Sequence, residues 1–477
     1  MSHHHGMTFL HGIQAMCKHD TTHEGRFGRM FPNLPPCYTH PSTLQALGKK
    51  GGPMDGGLGR NPTTTIPMGM VFFGQFIDHD ITLDTTSSLD RVNDADATQN
   101  FRTPSLDLDC IYGAGPEASN YLYRNGMHLY TAKEGTALST QSNQHRNHDL
   151  TRTADGTAVI GDPRNDENRI VSQIQLAMIN FHNHVVDHVI SEHGYNANDL
   201  KKSSVRKEVY EEARQLVTWH YHWIVINEFL PVMVGQPLVN KTLGQGRKFY
   251  TRNRGYIPIE FSAAAYRFGH SLAPQKLKVQ KAQTHDFELF GATLGFGFSP
   301  ITDNKQVVEW EVMFDIDPAN PAQRTDKLDT KLPSDLLALP FIQEGENSLA
   351  TRNLLRGQSF LLPAGENMAA QMGVDQVTID KVLNHIDTSA PGLDFSNGVP
   401  LWYYILAEAE CVGKNVGNAN QPGEGLGPVG GTIICETLLG LIELDSTSFM
   451  SQNRNWQPTL PSTGGPGTFT MADLLTF

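Results

Sequence analysis

Cysteine is scarce in this chain: five among 477 residues (Cys17, Cys37, Cys110, Cys411 and Cys435), odd in number and widely spread, with no C-x-x-C pair. That excludes a disulfide framework and a thiolate zinc site, and leaves mostly free thiols as the expectation. Positive charge is also in deficit, with 37 Lys and Arg against 50 Asp and Glu and a formal net charge of -13. Nucleic acid and anionic membranes call for clustered positive charge, so neither is an expected partner. Long apolar runs are missing too: the most apolar stretch, Trp223 to Gly235, holds Asn227, Glu228 and Pro231 and is too short to span a bilayer. The N-terminus, MSHHHGMTFLHG, has no positive segment leading into a long apolar run, so no secretory signal is read there. A cytoplasmic location, or export by an unconventional route, is expected, and a monomer.

What is present is an ordinary globular composition, 39% hydrophobic and 9% aromatic, which excludes disordered, collagenous and coiled-coil chains. Residues 1–68 are rich in Gly, Pro, His and Thr and predict an irregular arm lying over a larger body. Residues 69–477 show no repeat period, low-complexity tract or linker, which predicts one large, mainly α-helical domain with few short strands. A helix is predicted after Pro67 (MGMVFFGQFIDHDITL), and two long ones in ENRIVSQIQLAMINFHNHVVDHVISEH and VRKEVYEEARQLVTWHYHWIVINEFLPVMVG, from their 3.6-residue apolar period. Shorter helices are expected in EFSAAAYRFGHSLAP, SDLLALPFI, LATRNLLRGQSF, ENMAAQMG, LWYYILAEAEC and GGTIICETLLGLIELD. The polar stretch 114–165, with its Asp155-Gly156 turn signal, reads as loop with at most a small hairpin.

Five short motifs carry chemistry. In GQFIDHD, Gln75, Asp78 and His79 fall at i, i+3 and i+4 and share one side of a helix, while Asp80 points about 100° away. Alone, this also describes a satisfied core histidine beside a capping carboxylate. In TPSLDLD, oxygen-bearing side chains recur at every second position (Thr103, Ser105, Asp107, Asp109). A loop wrapping a hard cation has this pattern, and with Asp80 it offers three carboxylates, favouring calcium over zinc; a two-faced strand has the pattern as well. In GDPRNDEN, Arg164 and Glu167 stand three apart where a long helix is expected to begin. YRFGH sets Arg267 and His270 on one predicted helix, and RNLLRG sets Asn353 and Arg356 on one face of another.

Taken in order, GQFIDHD, TPSLDLDCIYG, GDPRNDEN, YRFGHS and NLLRG, with the tail LWYYILAEAE…LGPVGGTII, resemble the animal-type haem peroxidases of the peroxidase–cyclooxygenase superfamily, in their bacterial, myeloperoxidase- or lactoperoxidase-like version. The resemblance covers roughly residues 25 to 477, and makes 69–477 a haem peroxidase catalytic domain. It implies a peroxidase that uses hydrogen peroxide to oxidise halides and pseudohalides (iodide, thiocyanate, bromide) and small aromatic donors. It makes His79 the distal histidine, Arg164 the distal arginine, Gln75 the neighbour of the halide or water position, and His270 the axial ligand of haem b. Asp78 and Glu167 match carboxylates that are ester-linked to haem. Asn353 would accept the His270 N–H, and Arg267 and Arg356 would neutralise propionates. Asp80, Thr103, Ser105 through its carbonyl, Asp107 and Asp109 match the ligands of a calcium ion. The chain departs from the pattern at Asp109, where Ser is usual, at Ser105, where an aromatic is usual, and at Asn168, which cannot form the methionine–haem link of myeloperoxidase. Without that link chloride is expected to be a poor substrate, and donors are expected to arrive by way of the 114–165 loops. Two other readings stand beside this one. A fatty-acid dioxygenase of the same superfamily would need a tyrosine three residues before the axial histidine, where Arg267 stands. A non-catalytic matrix or adhesion protein would have little use for the His79 and Arg164 pair.

Overall fold

The computed structural model describes residues 27–89, 91–133, 146–339, 342, 344–386 and 392–477. The N-terminal stretch, including Cys17 and the segment where a signal would lie, falls outside them. Helices dominate. The longest are α3 (Arg169–Glu192) and α4 (Ser203–Ile224), introduced by the shorter α1 (Pro41–Gly48) and α2 (Gly69–Ile81) and followed by α5 (Leu349–Ser359), α6 (Leu401–Cys411) and α7 (Pro428–Leu444). Among the described residues strands come only as two-stranded fragments, such as Pro62–Pro67 antiparallel to Arg324–Asp326 and Phe27–Gly28 parallel to Ile257–Pro258. The expected mainly helical class is what the fold shows. Among the described residues, no helix is long and apolar enough to cross a membrane.

Local chemistry places the helix ends. Asn168 caps α3 with its side-chain oxygen on the Val171 N–H at 3.0 Å, and Ser348 caps α5 through the Thr351 N–H at 3.2 Å. The carboxylate of Glu408, fully buried on α6, accepts from Val429 and Gly430 N–H at the start of α7 and so ties those two helices together. Helix α2 runs through the centre with Phe72, Phe73, Phe76 and Ile77 buried. It comes close to its neighbours at two glycines: a Cβ at Gly69 would lie 2.3 Å from the Phe314 ring, and one at Gly74 3.2 Å from the Phe229 ring. Phe229 ends a π-helical segment, Val225–Phe229, that continues α4, an irregularity the apolar period alone does not announce.

Four expectations are corrected. The segment 259–272 is no single helix: Ile259–Ser262, a 3₁₀ turn Ala265–Phe268 and Gly269–Leu272 follow one another, separated at Ala264 (φ −138°, ψ −76°). Arg267 and His270 therefore sit on different pieces. Arg164 and Glu167 precede α3 and do not begin it, Arg164 lying in a 3₁₀ turn, Pro163–Asp166, with Glu167 at its end. The described part of SDLLALPFI is turns, not helix. Residues 27–68, expected to be irregular, contain α1, whose Leu44 and Leu47 are buried and whose Gly48 carbonyl accepts from Ser348 Oγ. The stretch 114–165 is loop and short turns with a small hairpin, Tyr123–Arg124 on His128–Leu129, as expected for its described residues.

Candidate active site

A cavity of about 640 Å³ opens in the middle of the fold. Gln75, Asp78 and His79 of α2 line it, together with Arg164, Glu167 and Asn168 before α3, Arg267 and His270 from the broken segment, and Arg352 and Arg356 of α5. Four of the five sequence motifs thus meet in one space; only the Asp107 loop stays outside it. Phe290, Phe296 and Phe298 lie along its edge, the last two largely exposed. Among the described residues of 114–165 only Arg164 lines the cavity, and residues of 289–298 and Leu336 and Leu339 line it as well; residues 134–145 of the expected donor route lie outside the described residues. The 289–298 loop is fastened to the Glu167 turn. Phe298 N–H donates to Asp166 O at 2.6 Å, and Gly297, at φ +83°, would put a Cβ 2.0 Å from the Glu167 carbonyl oxygen, so only glycine fits there.

His79 is buried, and its Nδ1 lies 2.7 Å from Asn165 Oδ1. Burial, with Arg164 beside it, lowers its pKa to about 3, so the ring is neutral at ordinary pH. Its Nε2 is 3.6 Å from Glu167 Oε1, beyond hydrogen-bond range. Glu167 takes a hydrogen bond from Gln75 Nε2, and Asn168 Nδ2 holds Gln75 Oε1 at 3.0 Å. Removal from bulk water pushes the Glu167 carboxyl up to about 7 despite Arg164 nearby, and burial likewise raises Asp78, whose Oδ1 accepts from Thr82 Oγ1 at 3.0 Å. Arg164 is aimed by Asp162, which accepts from its Nε and Nη2 (2.7 Å for Nη2), while the same Nη2 reaches His79 O at 3.0 Å and Thr82 O at 2.5 Å. Burial alone would raise Asp162; Arg164 and Arg102 outweigh it and hold the carboxyl at about 2.

On the other side, burial followed by the Arg267 charge lowers His270 to about 3. Asn353 pairs with it as expected, but in the reverse sense: Nδ2 of the amide lies 2.8 Å from His270 Nδ1, and Oδ1 accepts from Arg267 Nη1 at 2.9 Å. The break in 259–272 frees backbone carbonyls, and these are taken by Arg267 Nε on Ser262 O and by the Trp402 indole on Arg267 O. Arg267 is lowered to about 10 by burial and by Arg356, and Arg356 bonds Ser87 and lies 3.5 Å from Asp84. Arg352 joins Arg267 and Arg356 as a guanidinium on this side of the cavity that sequence reasoning missed.

Asp80 points away from the cavity, as its place in the helix requires, and its carboxylate meets those of Asp107 and Asp109 within 4.8 Å. The intervening chain is a loop, not a strand: Leu108 is left-handed (φ 59°) and leads into a helical turn, Asp109–Tyr112. Thr103 Oγ1 is 3.4 Å from Asp109 Oδ2, whereas the Ser105 hydroxyl turns to Asp445 at 3.2 Å. Desolvation and the neighbouring carboxylates raise Asp80 well above the usual range, and desolvation and then Asp109 push Asp107 up to about 8. Arg102 Nη1 pairs with Asp109 at 3.1 Å. Three carboxylates this close, with one of them fully buried, fit a hard divalent cation shared among them.

The family model for animal haem peroxidases matches residues 90–378, more than half of the chain, and the chain belongs to that family. Among curated relatives, a chorion peroxidase of Aedes aegypti is 23% identical over 278 residues, and one of Drosophila melanogaster 26% over 187. These matches take in 56% and 38% of this chain but only 32% and 22% of the two relatives. Among solved structures, peroxidase A of Dictyostelium discoideum superposes with a TM-score of 0.61 at 16% identity, covering 94% of this chain and 92% of its own. The fatty acid alpha-dioxygenase of Arabidopsis thaliana does so with 0.55 at 15%, covering 89% and 72%. The fold is the animal peroxidase fold. Haem is expected of the family, and the cavity fits it: a space of the size used for cofactors, two neutral imidazoles, and a set of three arginines on one side with Asp84 near Arg356.

Proposed function

We propose that the chain is a hydrogen-peroxide-dependent haem peroxidase of the bacterial, myeloperoxidase- or lactoperoxidase-like kind, acting on iodide, thiocyanate, bromide and small aromatic donors. The observation that carries this is the joint presence on one cavity of neutral His79, Arg164 fixed by Asp162, and His270. His270 would hold the iron, Arg267, Arg352 and Arg356 the propionates, and Asp78 and Glu167 ester bonds to the haem edge. Bound haem would supply the redox centre that accepts oxidising equivalents from peroxide and passes them to donors. The chain's own part is proton handling. His79 Nε2 takes a proton from one peroxide oxygen and returns it to the other, which leaves as water. Arg164 has Nε and Nη2 engaged, while Nη1 has no hydrogen-bond partner among the described residues and can face the charge that develops on the departing oxygen. Asp80, Thr103, Ser105, Asp107 and Asp109 would hold one calcium ion, which braces α2 at the residue next to His79.

Steady-state oxidation of the four anions at pH 5 to 7, with mass spectrometry of the denatured haem, tests the reading. Expected are turnover of iodide, thiocyanate and bromide, little of chloride, and haem retained on the chain. Chloride turnover equal to bromide, with release of unmodified haem b, would overturn the donor and linkage assignments. The dioxygenase reading keeps one observation: Tyr266 lines the cavity, although its hydroxyl is tied to Gly74 O at 3.1 Å. Oxygen uptake with a fatty acid in the absence of peroxide is its signature.

A further inference from the structure

A run of buried side chains behind His79 has one permitted direction. Gln175, on α3 and fully buried, places Nε2 3.1 Å from the Cys110 carbonyl oxygen. A carbonyl only accepts, so the Gln175 amide nitrogen must face it, and its Oε1 must face Asn165. Asn165, also fully buried, accordingly donates Nδ2 to Gln175 Oε1 at 2.7 Å and presents Oδ1 to His79 Nδ1 at 2.7 Å. That oxygen has nothing to give, so His79 must carry its proton on Nδ1. Its Nε2 is then a bare lone pair toward the cavity, 3.6 Å from a Glu167 oxygen that Gln75 already serves. We infer that Asn165 and Gln175 are positioning residues that use the Cys110 carbonyl as a fixed reference to set the His79 tautomer, so that the ring enters the reaction as a proton acceptor. The reference point belongs to the turn that carries Asp109, and Cys110 Sγ itself contacts Asp80 Oδ1 at 3.4 Å. Gly161 lets the chain pass behind it, since a Cβ there would lie 2.6 Å from the Cys110 oxygen.

This inference rests on the peroxidase reading for its chemistry and is tested on the full chain loaded with haem. In the reduced, carbon monoxide-bound form, the C–O stretching band reports what faces the ligand: a lone pair leaves it high, an N–H draws it to lower wavenumber. Wild type and Asn165→Asp, which keeps an acceptor at Nδ1, should show the same high band. Asn165→Leu, and Gln175→Met, which frees the Asn165 amide to turn, should gain a lower band as the Nε2–H form is populated. Their second-order rate with peroxide should fall about tenfold, the worth of one net hydrogen bond, at unchanged donor KM. Should Asn165→Leu not fold, Gln175→Met keeps side-chain volume and carries the same expectation. An unshifted band and rate in the removing variants, or a lowered band in Asn165→Asp, would overturn the relay. A wild-type chain that binds haem but does not react with peroxide would instead count against the peroxidase reading, because the comparison of bands judges the relay alone.

Discussion

The two histidines of the cavity are alike in burial and charge and opposite in what stands behind them. Both are lowered to about 3, chiefly by desolvation. His79 Nδ1 meets an amide oxygen anchored through Gln175 on a backbone carbonyl, whereas His270 Nδ1 meets an amide nitrogen whose oxygen is held by the Arg267 guanidinium. The scaffolds differ as well. His79 rides on a continuous helix braced by the Asp80 cluster, and His270 on a four-residue piece after a break. The histidine proposed for proton transfer thus has an amide oxygen behind it, and the one proposed to hold iron an amide nitrogen.

Several changes would break or sharpen that contrast. The largest effect is expected at His270: His270→Ala should abolish stable haem, read as loss of the Soret band, and a retained band with retained activity would refute the axial assignment. Asp107→Ala should remove the calcium. With wild type at a calcium level 100-fold above Kd, chelation should cost about 2.7 kcal/mol of stability, and the variant should show no such loss; melting curves with and without chelator decide this. Asp162→Asn should cost about 2 kcal/mol and leave Arg164 misaimed. Because the folded Asp162 titrates at about 2 against an ordinary 3.8, its contribution is fully present above pH 4 and disappears as pH falls toward 2. Denaturant unfolding of wild type and variant across pH 2 to 5 should therefore converge at the acid end. The smallest change is Asn353→Asp: a carboxylate behind His270 should lower the iron reduction potential, measured by spectroelectrochemistry, with no change in haem content.

Much of this was legible in the sequence where the chain is regular. The spacing of Gln75, Asp78 and His79 against Asp80 puts the first three on the cavity and the last on the carboxylate cluster because α2 is an unbroken helix. Arg267 and His270 fall on consecutive turns of different type, 3₁₀ and then α, after the break at Ala264, and neither the break nor the change of turn is signalled by helix propensity along EFSAAAYRFGHS. Asn165, Gln175 and Asp162 went unseen for a different reason. Nothing in their spacing marks them, since each acts through a hydrogen bond to a group distant in the chain or through a turn that only the folded loop forms; the Asp two places before Arg164 was the one available signal. Phe296 and Phe298 are placed at the cavity by Gly297 between them, which brings the loop against Glu167, a contact no spacing in the sequence marks.

On the proposed reading, His79 is the proton acceptor for peroxide on a haem held by His270. The direct measurement is the second-order rate of reaction of hydrogen peroxide with the haem-loaded chain, wild type against His79→Ala, followed at the Soret band. A fall of about 10²- to 10⁴-fold is expected, with the resting haem content unchanged. A His79→Ala chain that reacts at the wild-type rate would contradict it.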